Sequence, residues 1–309
     1  MPSPLLADIA RPYFRYELPA WGKLYKLLVG GPDEPAWHNR PRRVITGKLH
    51  NKKMNLDVGD WSERSAYFLG RYYDLDSQMV YQLLIDKGDH VLDVGANVGM
   101  MMLLASHLVG ENGRVDCCEP NPACVERVQD HIDINNITNT HLHHTALANE
   151  NTTMILRVLT EHTGMGSLAP VKEKDAHLVT EEIEVPVSRG DDLLASCPSP
   201  PNLIKVDVEG FEAKVLAGLP STLAEHHPIL MLEFIESHLA RAGANRASIC
   251  QELTAMGYKG FFTDVRKSGL RYRLALYPID PANLRYASTD ALWIHQDDPK
   301  LVRLTPHLA

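Results

Sequence analysis

Three short stretches of this chain place reactive side chains at spacings that suit chemistry. The first is Asp93-Val94-Gly95-Ala96-Asn97-Val98-Gly99, a carboxylate followed by two glycines four residues apart. The second is Glu119-Pro120-Asn121, at the end of the apolar run that begins at Arg114. The third is Lys205-Val206-Asp207-Val208-Glu209-Gly210, where Lys205 and Asp207 share one face of an extended segment by the period of two. Glycines in such a turn let the backbone pass close beneath a bound nucleotide. A carboxylate like Glu119, at the end of the following strand, accepts hydrogen bonds from ribose hydroxyls.

The identity of the nucleotide follows from the charges. A dinucleotide loop has a third glycine where this chain has Asn97. Asp93 would repel a pyrophosphate but suits an ammonium. S-adenosylmethionine (SAM) carries an ammonium and a sulfonium and no phosphate, so the loop fits SAM better than a nicotinamide dinucleotide. Methyl transfer to an alcohol needs in-line geometry and a group to take the proton. Asp207 is the first candidate for that base and Glu209 the second, with Lys205 holding Asp207 ionised. His162, near a glycine-rich tip, is a further candidate to reach an acceptor. Ala146 follows Thr145 at the end of a third strand and joins the same rim. A carboxylate pair can also hold a divalent metal, which the sequence neither requires nor indicates.

These residues have to be carried by an open α/β sheet, which gathers ligands at the carboxyl ends of its strands. The pattern predicts strands at His90–Val94, Arg114–Glu119, Thr140–Ala146, Leu203–Val208 and Ile229–Phe234, separated by helices at Met100–Leu108 and Pro122–Asn135. Phe261–Arg266 and Ala291–His295 complete a mostly parallel seven-stranded sheet with an antiparallel edge. A helix over Asp76–Lys87, closed by Gly88, precedes the first strand. Thr152–Leu159 and Glu182–Val187 form a hairpin-type insertion near residues 150–190. The expected organisation is an N-terminal helix and hairpin extension over 1–75 and a nucleotide-binding domain over 76–309. Trp21, Leu24, Tyr25 and Leu28 mark a helix in the extension, packed on its own domain or facing a second copy or a lipid surface. Arg43–Leu49 and Lys53–Val58 read as a hairpin.

Composition narrows the class. The chain has 309 residues, 44% of them hydrophobic, enough for a sizeable core. A net charge of −8 gives no reason to expect nucleic acid. No apolar run is long enough to cross a membrane, and no secretory leader pattern opens the sequence. Five cysteines, two of them adjacent, argue for packing thiols in a reducing cytoplasm rather than a disulfide framework. Met100, Met101 and Met102 are expected to pack rather than bind.

At these residues the chain resembles the FkbM-type family of SAM-dependent methyltransferases. Val91–Gly99, Glu119-Pro120-Asn121 and Leu203–Glu212 carry the resemblance, the last through its Lys-x-Asp-x-Glu-Gly-x-Glu strand end. Tyr72-Tyr73-Asp74, Ser167, Val185-Pro186-Val187 and Asp191-Asp192-Leu193-Leu194 support it. The resemblance implies a Rossmann-like fold and O-methylation of sugar or natural-product hydroxyls. It assigns SAM contacts to Asp93, Gly95, Asn97, Gly99 and Glu119, with Asn121 nearby, and puts Asp207 and Glu209 beside the reaction centre; Ala96, Pro120, Ala146 and Asp74 complete the expected cofactor-binding set. Asp74 stands where Glu is more usual, and Gly190 where Leu is common. A SAM-binding module without turnover and a nicotinamide-dependent oxidoreductase are the rival classes. A small-molecule or glycan acceptor and a homodimer complete the expected partners.

Overall fold

The computed structural model describes residues 2–159, 166–170, 177–269, 271–280 and 289–309. The N-terminal part holds α1 (Pro4–Arg15), α2 (Trp21–Leu28), β1 (Arg43–Thr46), β2 (Lys53–Leu56) and α3 (Trp61–Leu69). Then come α4 (Leu75–Leu84), β3 (His90–Val94), α5 (Met100–Val109), β4 (Arg114–Cys118), α6 (Pro122–Ile134) and β5 (Thr140–His143). A second group has β6 (Ala146–Ala148), β7 (Thr152–Leu159), β8 (Gly166–Ser167) and β9 (Val179–Arg189). The chain continues through α7 (Gly190–Leu194), β10 (Leu203–Val206), α8 (Glu212–Ala217), α9 (Pro220–His226), β11 (Ile229–Glu233), α10 (Glu236–Leu239) and α11 (Arg246–Ala255). It closes the sheet with β12 (Tyr258–Ser268), β13 (Arg271–Pro278) and β14 (Asp290–His295).

The main sheet has eight strands in the order β13-β12-β14-β11-β10-β3-β4-β5. The five from β11 to β5 run parallel, and β14, β12 and β13 extend them antiparallel. The Rossmann-like reading of the sequence holds; the count of seven strands does not. The extra strand is β13, the outer arm of a hairpin with β12. Its polar–apolar alternation lasts only four residues, Arg271 to Leu274, before the apolar Ala275 and Leu276 break it. Strand order runs outward in both directions from the β10/β3 pair, so the crevice above it is the binding position this topology offers. β3 and β10 are buried along their whole length, as parallel strands covered on both faces must be.

Several sequence boundaries move. The strand expected over Thr140–Ala146 breaks at His143, and Ala146 belongs to β6 in a separate four-stranded sheet, β6-β9-β7-β8. The expected insertion is that sheet's β7/β9 antiparallel pair, with β9 longer than foreseen. The helix expected over Asp76–Lys87 ends at Leu84, because Ile85 is already extended; Gly88 sits in the following turn with φ 90°.

The N-terminal elements share a core with the sheet. Phe14, Trp37, Phe68 and the ring of Tyr25 meet edge to face, and their cluster runs on into β3 and α5. α3, which the sequence pattern did not reveal, is started by Asp60, whose carboxylate accepts from the N–H groups of Ser62 and Glu63. Glu63 on α3 pairs with Arg127 of α6 at 2.6 Å, both buried. Arg71 grips Glu17 through two bonds of 3.0 Å. α2 turns its aromatic face inward, where the Trp21 indole donates to the Tyr272 hydroxyl of β13.

Candidate active site

A cavity of about 450 Å³ opens above the carboxyl ends of β3, β4, β10 and β11. It is lined by Asp93, Gly95, Ala96, Asn97, Glu119, Pro120, Asn121, Ala146, Lys205, Asp207, Glu209 and Asp74, nearly the whole set read from the sequence. Gly99 is the exception: it begins α5 with φ 83° and does not line the wall. Met100 and Met101, expected only to pack, do line it. His162 lies outside the described residues.

Gly95 is where the geometry demands a glycine. Its φ is 82°, and a Cβ would overlap the Asp207 carbonyl oxygen, so the loops after β3 and β10 pass in contact. Asn97 sits at φ 50°, a conformation Asn tolerates. From there its N–H donates to Glu119 Oε2 at 2.7 Å, while the Asn121 N–H donates to Oε1 at 2.8 Å. Two backbone donors thus fix the Glu119 carboxylate, and each oxygen keeps a lone pair for a ribose hydroxyl. Burial pushes the Glu119 pKa up to about 7 against those two donors. Asn121 also caps α6 by accepting from the Ala123 N–H.

Asp93 is 1% exposed, and neither carboxylate oxygen has a hydrogen-bond partner among the described residues. Burial lifts its pKa to about 6, held back by Lys205 and helped by Asp207. An orphaned carboxylate on a cavity wall is costly unless a ligand supplies the missing donors. The SAM ammonium is such a donor. The residues therefore fit SAM: an ammonium partner in Asp93, a ribose partner in Glu119, and a glycine cradle between them.

Lys205 Nζ meets Asp207 Oδ2 at 2.7 Å, the pairing expected from their common strand face. Burial opposes the Lys205 charge, but Asp207 and Asp93 outweigh it and raise its pKa. Beyond Asp207 the backbone turns sharply, with Glu209 at φ 56° and Gly210 at φ 106°. A Cβ on Gly210 would overlap the His238 carbonyl, and the Ser167 hydroxyl holds the Glu209 carbonyl at 2.9 Å. Glu212 fastens the turn by accepting from the Val208 and Gly210 N–H groups. The strained turn aims Glu209 at His238, whose Nδ1 lies 3.1 Å from Glu209 Oε2 and 3.2 Å from Glu233 Oε2. Burial, and then the neighbouring Asp207, raise the pKa of both glutamates.

Asp74 both lines the cavity and caps α4 by accepting from the Ser77 N–H. Burial and the carboxylates of Asp290 and Asp76 push its pKa well up. Sequence reasoning missed Glu233 as a partner of Glu209, and missed His238 and Asp290 altogether. Glu233 and Asp290 face one another across the β11/β14 pair, but their meeting depends on an antiparallel register no local pattern announces. Among the described residues, Glu209, Glu233 and His238, and Asp74, Asp76 and Asp290, have spacings that could hold a metal ion. Tyr73 is half-exposed at the mouth, with the rings of Tyr72 and Trp61 tilted against it at 50° and 42° and centroids 4.4 and 4.8 Å away.

A separate polar cluster surrounds Asp116. Its carboxylate takes His90 Nε2 at 2.8 Å, His143 Nε2 at 2.6 Å and the Arg114 guanidinium at 2.9 Å. Burial opposes its charge, but the hydrogen bonds from His143, His90 and Arg114 hold the pKa far below the usual carboxylate range. Gly190, the departure noted at the start of α7, is explained by Leu219, whose side chain a Cβ there would strike. Asp191 accepts from the Ser221 and Thr222 N–H groups of α9, tying the two helices together.

Comparison with known proteins identifies the family. Residues 93–259 match the methyltransferase FkbM domain. A hexuronic acid methyltransferase, AglP, of Haloferax volcanii is 31% identical over 192 residues, 58% of this chain and 72% of that protein. Methyltransferase 1 of Beauveria bassiana is 27% identical over 192 residues, covering 57% and 74%. The crystal structure of a methyltransferase FkbM from Methylobacillus flagellatus aligns at 13% identity with a TM-score of 0.40, covering 74% of this chain and 52% of that one. The domain match spans more than half the chain and contains the loop, the carboxylate and the strand end that build the cavity, and the chain belongs to the FkbM methyltransferase family, as a SAM-dependent methyltransferase.

Proposed function

We propose that this methyltransferase acts on a hydroxyl of a sugar or glycan, with Glu209 taking the proton. The observation that carries the reading is the Glu209 carboxylate, fixed on the cavity wall beside Asp207 with its pKa raised. When bound, SAM supplies an electrophilic methyl group. Asp93 would hold its ammonium and Glu119 its ribose, with the Gly95–Asn97 loop lining the same cavity. The acceptor oxygen needs a base whose pKa lies near the working pH. Asp207, favoured from the sequence, is engaged by Lys205, so we assign it to orienting the acceptor. Glu209, second in the sequence reading, becomes the base. Carboxylates along the wall suit hydroxyl donors, and the half-exposed Tyr73 ring offers a flat surface for the C–H face of a pyranose. The hexuronic acid specificity in the name of the Haloferax volcanii relative supports a sugar acceptor. The oxidoreductase alternative gives way to the family assignment.

The test is methyl transfer from labelled SAM to a panel of free sugars, uronates, glycans and polyketide alcohols. Transfer to a sugar hydroxyl is expected, and exclusive transfer to a nitrogen or to a non-sugar alcohol would contradict the reading. With that acceptor, Glu209→Gln is expected to lower kcat by roughly 10²–10⁴-fold and to abolish the loss of rate as pH falls through neutrality. Asp207→Asn should keep a loss of rate in acid but shift it to lower pH, because the base stays in place while the neighbouring charge that raises its pKa is gone. An unaltered rate in Glu209→Gln removes it from the mechanism.

A further inference from the structure

We propose that the N-terminal helices form a docking surface for an anionic lipid membrane. α1 buries one face, Ala7 and Phe14, in the core and presents a second apolar line to solvent. Leu5 and Ile9 are 72% and 69% exposed, and Tyr16, just past the helix end, 74%. At 3.6 residues per turn these three fall within roughly 40° of one another on the helix surface. Leu6, and Leu27 of the adjoining α2, add to this exposed apolar area. Folding does not need this second stripe, since the first already anchors the helix.

Charge selects the occupant. Residues 1–56 carry ten Lys and Arg against four Asp and Glu, a net +6, in a chain whose total is −8. The remainder therefore carries −14, an asymmetry of the kind that directs one end of a molecule to an anionic surface. Arg15 lies about 80° around α1 from Leu5, and Arg11, farther round, rests on the Tyr67 ring and carbonyl. Arg11 and Arg15, one helical turn apart on the flank of α1, border a shallow groove with Lys53 and the exposed Val44. Lys23 and Lys26 are exposed on the outer face of α2, next to Leu27. Aliphatic side chains flanked by lysine and arginine are the makeup of a helix lying in the headgroup region, its apolar side reaching the acyl boundary and its cations on lipid phosphates. Among the described residues no helix is long and apolar enough to cross a membrane, so the contact is one of lying on the surface. A second copy of the chain is the less favoured occupant, because the like charges of Arg15, Lys23 and Lys26 would face each other across a two-fold interface.

Flotation with vesicles tests this independently of the acceptor. The full chain is mixed with vesicles of phosphatidylcholine alone, or with one third phosphatidylglycerol. Binding is expected only to the anionic vesicles and should fall steeply between about 0.1 M and about 1 M salt. Lys23→Glu with Lys26→Glu should weaken partitioning at least about tenfold, and Leu5→Ser with Ile9→Ser by a similar factor. All four positions are exposed, so both double variants should keep the wild-type melting temperature and SAM affinity. Equal binding to neutral and anionic vesicles, or binding untouched by both variants, would overturn the proposal. So would a concentration-dependent dimer that Leu5→Ser with Ile9→Ser dissociates, with no vesicle binding by either protein.

Discussion

Asp116 and Glu119 stand three residues apart, and their surroundings drive them in opposite directions. Asp116 is fully buried among donors from His90, His143 and Arg114, and its carboxylate stays charged far below the usual range. A depressed folded pKa contributes stability that is present above the unfolded value, about 4, and is lost as pH falls below it. Asp116→Asn is therefore expected to cost ~3–5 kcal/mol at neutral pH, because it leaves the Arg114 and histidine donors without their anion. Denaturant unfolding at about pH 7 and about pH 3 checks this: the gap between wild type and variant should shrink in acid, and a constant gap would contradict the assignment. The sequence showed Asp116 only as a strand residue. Its donors come from β3, β5 and its own strand, and no local spacing joins them. Glu119 was legible because it ends a strand, and strand ends converge by topology alone. The same limit hid His238, whose partners Glu209 and Glu233 leave two different strands.

At the scale of elements, the loops after β3 and β10 are one device. Gly95 brings its loop against the Asp207 carbonyl, and Gly210 brings the next turn against α10. The glycine loop and the carboxylate-rich strand end were legible as separate motifs; their contact was not, since it requires β3 and β10 to be sheet neighbours. Gly95→Ala is expected to destabilise the fold by ~1–3 kcal/mol through its positive φ and the overlap. It should also weaken SAM binding more than about tenfold, by displacing Asp207 and Asn97 together. Gly243→Ala is the control, with φ 77° but open space around it. It should cost about 1 kcal/mol and leave SAM affinity unchanged, as read by calorimetry and thermal unfolding. Equal SAM affinities in the two variants would separate the loop contact from cofactor binding. The misplaced elements share one cause. The break at His143 and the strand β13 are set by which sheet or edge lies nearby, and strand preference does not encode that.

Over the whole molecule, charge is partitioned. Carboxylates collect at the sheet's carboxyl rim, while cations collect on α1, α2 and the β1/β2 hairpin. Composition alone concealed this, because a net −8 averages over both ends. The acidic rim sets the central claim: the crevice above β3, β4 and β10 is built for a donor with positive charge and a ribose, not for a pyrophosphate. Calorimetric titration of the intact protein with SAM and with NAD, at about pH 8 and about pH 6, tests it most directly. The account predicts one SAM per chain and no measurable heat with NAD. Burial lifts the Glu119 pKa to about 7; with the ionised carboxylate as the proposed ribose partner, SAM affinity should drop on the order of tenfold between those two pH values, and Glu119→Gln should lose affinity and most of the pH dependence, leaving only the smaller part that belongs to Asp93. NAD binding as tightly as SAM, or Glu119→Gln binding SAM like the wild type at both pH values, would contradict it.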